Sequence, residues 1–302
     1  MGLAPSPSAR RVVIMLRALA AQPGRGVRAT DLAAQVGENR TTCLATLLAL
    51  EAEGWVRRDA AKRYSLGPAA IAVGNAALAG LPVVDETRAE LQALYESTGL
   101  EAITGVATGA DILVVARAGP ERQLAPSARV GDVIPLVPPL GLTYVAFDDA
   151  AFERWLASAT TSLTHDERQR YRDARNTVRT LGYGVTLDPG TRASFAAALD
   201  EFARSPRSAE LRARRDRLIQ TLAHDDYLVA DDNRGRALHV AQLSAPVMGP
   251  DDRVAAVIGV VALPRQLSVE DVADIGAEIC AAVTRVARRL AAPVAPRVRD
   301  RA

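Results

Sequence analysis

The sequence contains few of the residues that support disulfide, membrane or redox chemistry. Only two of its 302 residues are cysteines, Cys43 and Cys280, so a disulfide framework is excluded, and both lie in apolar helical patterns that predict buried thiols. No uninterrupted apolar run reaches the ~18 residues of a membrane span. The N-terminal segment MGLAPSPSARR lacks the apolar centre of a signal peptide. We therefore expect a cytoplasmic protein with no membrane partner.

Aromatic residues are also scarce, at 4% of the chain, so the core must consist mainly of Ala, Val, Leu and Ile. Hydrophobic residues make up 49% and charged residues 24%, proportions that are typical of a globular protein and exclude global disorder. At ~150 residues per domain, the length predicts two domains.

No sequence pattern of an enzyme is recognisable. The His-Asp-Asp run at 224–226 has no second His or Cys at metal-ligand spacing nearby. Ser194 and Ser244 lack the Gly-x-Ser-x-Gly context of a nucleophile, and neither a phosphate loop nor a dinucleotide fingerprint is present. We therefore expect no catalytic residues, no metal and no cofactor.

Charge is distributed unevenly along the chain. The net charge is +2, but the first 75 residues contain ten basic and five acidic side chains, so this quarter carries +5 and the remainder −3. A basic segment joined to a mildly acidic one indicates a polyanionic partner for the first segment alone.

The pattern of the first quarter predicts a DNA-binding fold. Its elements are a helix over 10–21, a short helix over 31–36 with Thr30 as N-cap, a turn at Gly37, a helix over 39–53, and two short β-runs over 55–58 and 63–66. This order is that of a winged helix-turn-helix, which we place at residues 1–74. The alternative is a surface helical hairpin with solvated charges.

In such a module the helix after the glycine turn enters the major groove, and the hairpin contacts phosphates. The first residues of that helix can bond base edges or phosphates, and Thr30 marks a helix N-terminus that can face a phosphate. The candidate DNA-binding residues are Thr30, Asn39, Arg40, Thr41, Thr42, Arg57, Arg58, Lys62 and Arg63.

Residues 30–74 resemble the IclR family of bacterial transcription regulators. The resemblance rests on the Gly37-to-Gly54 spacing, the Gly-aromatic-Val step at 54–56 and the Tyr-x-Leu-Gly ending at 64–67. Arg40, Thr41 and Thr42 match the family's basic residue followed by two hydroxyl residues. Leu44 and Ala45 depart from the pattern, because many members have polar or basic residues there; apolar contact with thymine methyl groups is an alternative.

The rest of the chain predicts a second, α+β domain. A helical linker over 75–98, interrupted at Pro82, precedes a β-hairpin over 103–119. A second hairpin, formed by LHVAQLSAPV and VAAVIGVVAL, and an amphipathic helix over 267–290 follow. The resemblance implies a GAF-like effector domain with an antiparallel sheet over 99–302. We align AHDDYLVADD, rather than the similar RTLGYGVTLD, with a family motif, which leaves an insertion near 183–225.

The resemblance also implies an effector site. Family members hold a small organic acid or aromatic molecule with loop amides, an acid, a Cys and two Ser residues. The corresponding positions here are Pro139, Leu140, Gly141, Asp231, Asp232, Gln242, Gly259 and Val261. Prolines donate no amide hydrogen bond, and burying a carboxylate without partners is costly. We therefore expect a larger, more apolar effector or none; these positions are alternatively plain core residues.

Two functions are compatible with the sequence. The first is a transcription regulator that binds a palindromic operator as a homodimer or tetramer and is modulated by an apolar effector. The alternative is a small-molecule sensor or protein-interaction module whose helix-turn-helix does not read DNA specifically.

Overall fold

The computed structural model describes residues 6–120, 129–187, 190, 192–224, 238–261, 263 and 266–292. Contacts divide the chain into two compact units. Unit 1 comprises Met1–Leu81 and Gly190–Leu222, and unit 2 comprises Pro82–Pro189 and Ala223–Ala302. The first unit therefore takes up a segment from the predicted second domain.

Unit 1 contains the three predicted helices and the predicted hairpin in the predicted order. Its elements are α1 (Pro7–Ala20), β1 (Val27–Arg28), α2 (Ala29–Val36), α3 (Arg40–Ala52), β2 (Val56–Arg58), β3 (Arg63–Leu66) and α4 (Pro68–Ala79). Strand β1 was not predicted, and α4 begins before residue 75, the predicted start of the linker. The three strands form an antiparallel sheet in the order β1-β3-β2. Gly37 ends α2 with a left-handed φ of 63°, as the glycine turn requires.

The core of this unit is built from the inner faces of α1, α2 and α3. Met15, Leu32 and Leu47 are completely buried, and Tyr64 of β3 packs with them. Cys43 is buried in the same cluster, as predicted, and burial raises the pKa of its thiol to about 11. Cys280 is only half-buried, which differs from the prediction.

The predicted helix cap at Thr30 is wrong. Helix α2 begins two residues earlier than predicted, at Ala29, so Arg28 occupies the N-cap position. Thr30 therefore lies inside the first turn, is exposed, and donates its hydroxyl hydrogen bond to Asp31 Oδ1 at 3.0 Å.

Unit 2 is built around a six-stranded antiparallel sheet, which confirms the predicted α+β fold. Its strands are β4 (Glu101–Thr108), β5 (Asp111–Ala118), β6 (Val133–Pro135), β7 (Gly184–Leu187), β8 (Val240–Met248) and β9 (Val254–Val261), in the order β6-β5-β4-β9-β8-β7. Both predicted hairpins, β4–β5 and β8–β9, are present.

Helices cover both faces of this sheet. They are α5 (Pro82–Thr98), α6 (Leu142–Val145), α7 (Asp149–Ala157), α8 (His165–Leu181) and α11 (Val269–Ala291). Helices α5 and α11 pack together on one face, and α6 to α8 lie on the other. Ser268 caps α11, with Asp271 completing a capping box.

The two helices of the first face are joined by a buried acid. Glu90 of α5 accepts hydrogen bonds from Arg285 Nε at 2.9 Å and Arg289 Nη1 at 3.0 Å, both on α11. Burial raises the pKa of the Glu90 carboxyl, but the two guanidinium groups outweigh burial and hold the pKa below its ordinary value. The acid is therefore charged at neutral pH and ties α5 to α11.

The predicted insertion near 183–225 is wrong at its start. Gly184–Leu187 of RTLGYGVTLD is strand β7, which pairs with β8 at the edge of the sheet. The helices of this segment, α9 (Arg192–Arg204) and α10 (Ala209–His224), come after β7 and largely belong to unit 1. Most of AHDDYLVADD lies outside the described residues.

No single helix in the described part of the chain is long and apolar enough to cross a bilayer. Only α4 and α5 taken together, across the break between them, reach that length and composition.

Candidate functional site

Helix α3 presents its first residues to solvent. Asn39 is its N-cap, and the Asn39 side-chain oxygen accepts the Thr42 N–H at 2.7 Å. Arg40 and Thr41 are exposed, whereas Thr42 is half-buried. The structure therefore gives Asn39 a capping role, and Arg40 and Thr41 are the predicted DNA-binding residues most free to reach a base.

The exposed face of α3 continues with apolar side chains. Leu44 is 37% exposed and Leu48 50%, and they lie one helical turn apart beside the exposed Ala45. Sequence reasoning identified Leu44 and Ala45 but missed Leu48. Its position four residues after Leu44, and next to the buried Leu47, could have indicated it.

The turn between β2 and β3 is held by an acid. Asp59 Oδ1 accepts the Arg63 N–H at 2.8 Å, and the Asp59 carbonyl accepts the Lys62 N–H at 3.0 Å. Lys62 has a positive φ of 60°, which completes the reversal. This geometry forms the wing and leaves Lys62 and Arg63 exposed at its tip.

Two further cations lie along the wing strand β2. Arg57 Nε donates to Ser65 Oγ at 3.1 Å across the β-ladder, and the Arg58 guanidinium lies 5.8 Å from the centre of the Tyr64 ring. Both side chains are exposed. The hairpin thus collects four cations on an exposed surface, the arrangement that favours phosphate contacts.

Unit 2 contains a cavity of about 90 Å³ on the α6 side of its sheet. Its lining residues come from five strands, the loop before α6, α6 itself and α8, and are Ile103, Gly105, Ile112, Val114, Ile134, Pro139, Leu140, Gly141, Leu142, Thr143, Tyr144, Val178, Gly184, Thr186, Gln242 and Ser244. Among these described residues none is charged. The cavity therefore favours an uncharged, largely apolar guest.

A few polar groups are available in the cavity wall. Thr143 Oγ1 and Ser244 Oγ are hydrogen-bonded at 3.0 Å, and Gln242 and Thr186 lie on the neighbouring β8 and β7. Burial raises the pKa of the Tyr144 hydroxyl well above its ordinary value, so this group stays protonated. Sequence reasoning missed Thr143, Tyr144, Thr186 and Ser244 as cavity residues, because only the packing of α6 against β8 and the pairing of β7 with β8 bring them together.

The predicted effector residues separate into three groups. Pro139, Leu140, Gly141 and Gln242 line the cavity together. Gly259 and Val261 lie beside it in β9. A Cβ at residue 259 would be 2.6 Å from Gln242 Nε2, so this glycine makes room for that side chain. Val261 packs behind the cavity wall against Ile103 and Val114. Asp231 and Asp232 lie outside the described residues.

The loop before α6 is fixed by the helices above it. Trp155 Nε1 donates to the Leu140 carbonyl at 2.8 Å, and Trp155 packs between Phe152 and Tyr171. The Leu140 N–H is used within the loop, bonding the Val137 carbonyl at 2.6 Å. Since Pro138 and Pro139 have no N–H, this stretch offers little to an anion.

The described residues contain no group of three or more His, Cys, Asp or Glu side chains arranged to hold a metal ion.

Comparison with known proteins identifies the first region. Residues 8–60 match the model of the IclR helix-turn-helix domain. A comparison with curated proteins found no match.

Solved structures of IclR regulators share the fold. The chain is similar to an IclR transcriptional regulator from Alicyclobacillus acidocaldarius (TM-score 0.66, 21% identity, 95% of this chain and 100% of that one). It is also similar to HmgR from Pseudomonas aeruginosa (TM-score 0.62, 22% identity, 94% and 99%). A third is an IclR homologue from Microbacterium hydrocarbonoxydans complexed with 4-hydroxybenzoate (TM-score 0.63, 14% identity, 93% and 99%).

These findings confirm the resemblance predicted from the motifs. The chain carries an IclR helix-turn-helix domain, and its fold is that of IclR transcriptional regulators.

Proposed function

We propose that the protein is a cytoplasmic transcription regulator that binds a palindromic operator as a homodimer or tetramer and responds to a small, uncharged effector. The observation that carries this proposal is the shared exposure of Arg40 and Thr41 on α3 and of four cations on the wing. In a winged helix-turn-helix, the start of one helix contacts base edges and the hairpin contacts phosphates. Arg40 and Thr41 are placed for the first role, and the four cations of the wing for the second.

Helix α4 supports the dimer. The helix is rich in apolar residues, yet none of its residues is buried, and Ile71 is 66% exposed. A second copy of the chain is the occupant that fits, because two-fold operators require two reading helices at a fixed spacing. Replacing Ile71 by Glu should shift the protein toward monomer in sedimentation; Arg88→Glu, at an exposed site on α5, is the control. An unchanged dimer would exclude α4 from the interface.

The cavity supports an effector without a carboxylate. The homologue from Microbacterium hydrocarbonoxydans holds 4-hydroxybenzoate, an aromatic acid, whereas the described residues lining this cavity include no cation. Calorimetry with a pyruvate-like acid and its neutral ester should detect binding of the ester alone. Tight binding of the acid would contradict the proposal.

Recovery of bound fragments from genomic DNA, followed by affinity measurements at several salt concentrations, tests the main proposal. A regulator should select a palindromic sequence, and log K should fall linearly with log salt, because each phosphate contact releases counterions. Binding without sequence preference, or without salt dependence, would favour the alternative of a sensor or protein-interaction module.

A further inference from the structure

Helices α9 and α10 form a hairpin that groups with unit 1, the proposed DNA-binding unit. In the sequence, however, the hairpin lies between β7 and β8, two strands of the sheet of unit 2. The chain enters this hairpin after β7 and returns from it to β8, and these two strands are hydrogen-bonded neighbours. The hairpin itself groups with unit 1, where α9 packs against α1. The described helix-turn-helix therefore carries an extra layer contributed by a distant part of the sequence.

The hairpin is packed rather than projecting. Phe195 and Ala198 of α9 are buried, as are Ile219 and Leu222 of α10. The two helices are also joined by an ion pair between Arg214 and Glu201. Such burial fixes the turn between the helices, residues 205–208, relative to the helices that carry it.

Arg207, in that turn, reaches the glycine turn of the helix-turn-helix. Its Nη1 donates to Glu38 Oε1 at 2.8 Å and to the Gly37 carbonyl at 3.3 Å. Arg11 of α1 pairs with the other oxygen of the same carboxylate, Glu38 Oε2, at 3.2 Å. Glu38 is thus held by one cation from the helix-turn-helix and one from the inserted hairpin.

The environment of Glu38 keeps this contact in its charged form. The Glu38 side chain is 13% exposed. Burial raises the pKa of its carboxyl, but the guanidinium groups of Arg207 and Arg11 outweigh burial and hold the pKa below its ordinary value. A charge-assisted bond to a partly buried acid is stronger than a surface pair.

Glu38 immediately precedes Asn39, the N-cap of α3. A side chain that fixes residues 37 and 38 therefore fixes where α3 begins and how its first residues, Arg40 and Thr41, are presented. We propose that Arg207 is a positioning residue for α3, the helix expected to enter the major groove. Sequence-specific DNA binding then depends on a helical hairpin inserted between β7 and β8. This inference rests on the proposed DNA-binding function.

Two measurements on Arg207→Ala test it. Amide hydrogen exchange at residues 38–42 should become faster by about three- to tenfold, since the turn loses a charge-assisted bond. Operator affinity should fall by a similar factor, while the slope of log K against log salt stays unchanged, because Arg207 acts through Glu38 and not on a phosphate. Arg217→Ala, an exposed arginine on α10, is the matched control and should alter neither quantity.

A double variant separates positioning from direct contact. The double variant should lose no more affinity than Glu38→Ala alone, because Glu38→Ala already removes the bond to Arg207 together with the ion pair to Arg11. Additive losses, or a salt slope reduced by about one in Arg207→Ala, would show that Arg207 binds DNA itself and would overturn the inference. Unchanged amide exchange at residues 38–42 in Arg207→Ala would also overturn the inference, and this measurement needs no DNA. Failure of the wild-type protein to select any DNA sequence would instead refute the proposed function.

Discussion

The surface of unit 1 proposed to bind DNA and the cavity of unit 2 differ in how they are built. The surface is exposed, and its chemistry comes from consecutive residues of α3 and of the wing, with four cations on one hairpin. The cavity is lined by strands, a loop and helices that are far apart in the sequence, and none of its described lining residues is charged. A surface of this kind depends on local order along the chain, whereas the cavity depends on strand register. Substitutions should therefore affect the two sites through different physical effects.

The largest loss of stability should come from a substitution on the buried face of α3. Leu47→Ala removes a completely buried side chain and should lower the free energy of unfolding of unit 1 by about 2–5 kcal/mol. Leu48→Ala, its exposed neighbour, should change it by less than ~0.5 kcal/mol. Denaturant unfolding of both variants provides the comparison. Equal losses would mean that the two faces of α3 are not distinguished as the structure describes.

In the cavity, an added side-chain atom should lower the stability of the protein. A Cβ at Gly105 would lie 2.1 Å from the Tyr144 hydroxyl oxygen, so Gly105→Ala should cost about 1–3 kcal/mol of stability. The double variant Gly105→Ala/Tyr144→Phe removes the clashing oxygen and should recover part of that loss in thermal unfolding. Absence of recovery would indicate that another contact limits the site.

Within the surface proposed to bind DNA, two kinds of cation should behave differently. Arg40→Ala should reduce discrimination at one operator position by about 1–3 kcal/mol, because a base contact carries sequence information. Arg57→Ala should weaken all sequences alike and reduce the salt slope by about one, as expected for a phosphate contact. Binding assays on operator variants at several salt concentrations separate these outcomes; identical profiles would refute the division between helix and wing.

The smallest effect should appear as a pH dependence in unit 2. The pKa of Glu90 is lowered in the folded protein, so its contribution is present at neutral pH and is lost as the pH falls through and below the ordinary carboxylate range of ~4–5. Glu90→Gln should remove roughly 1 kcal/mol at pH 7 and less in acid. Denaturant unfolding of the wild type and of Glu90→Gln at pH 7 and in acid measures this difference. An equal loss of unfolding free energy under both conditions would contradict the prediction.

The same contrast explains how far sequence reasoning reached. The winged helix-turn-helix was predictable because its signals are local: Gly37 and Gly54 end helices, and the cations of the wing follow one another. The N-cap prediction at Thr30 was wrong because a hydroxyl residue followed by an acid resembles a helix N-cap, whereas Arg28 occupies that position. Among the cavity residues, Gln242 was found through its alignment, whereas Thr143 and Ser244 required the tertiary pairing of α6 with β8.

The grouping of the hairpin α9–α10 with unit 1 was not predictable from the sequence. Its sequence indicates charged helices, but nothing local places Arg207 against Glu38, 169 positions away in the chain. Strand β7 was overlooked for a related reason. Two similar motifs competed in the sequence, and the pairing of Gly184–Leu187 with β8 depends on residues far away in the chain.

The tip of the wing also gives the molecule a built-in reporter. Lys62 is the single lysine of the sequence and is exposed at the wing turn. An amine-reactive dye would therefore label one side chain only, besides the chain's amino terminus, and would place it at the surface proposed to face phosphates. Fluorescence from that position offers a direct optical record of DNA approach, obtained from the natural sequence without any substitution.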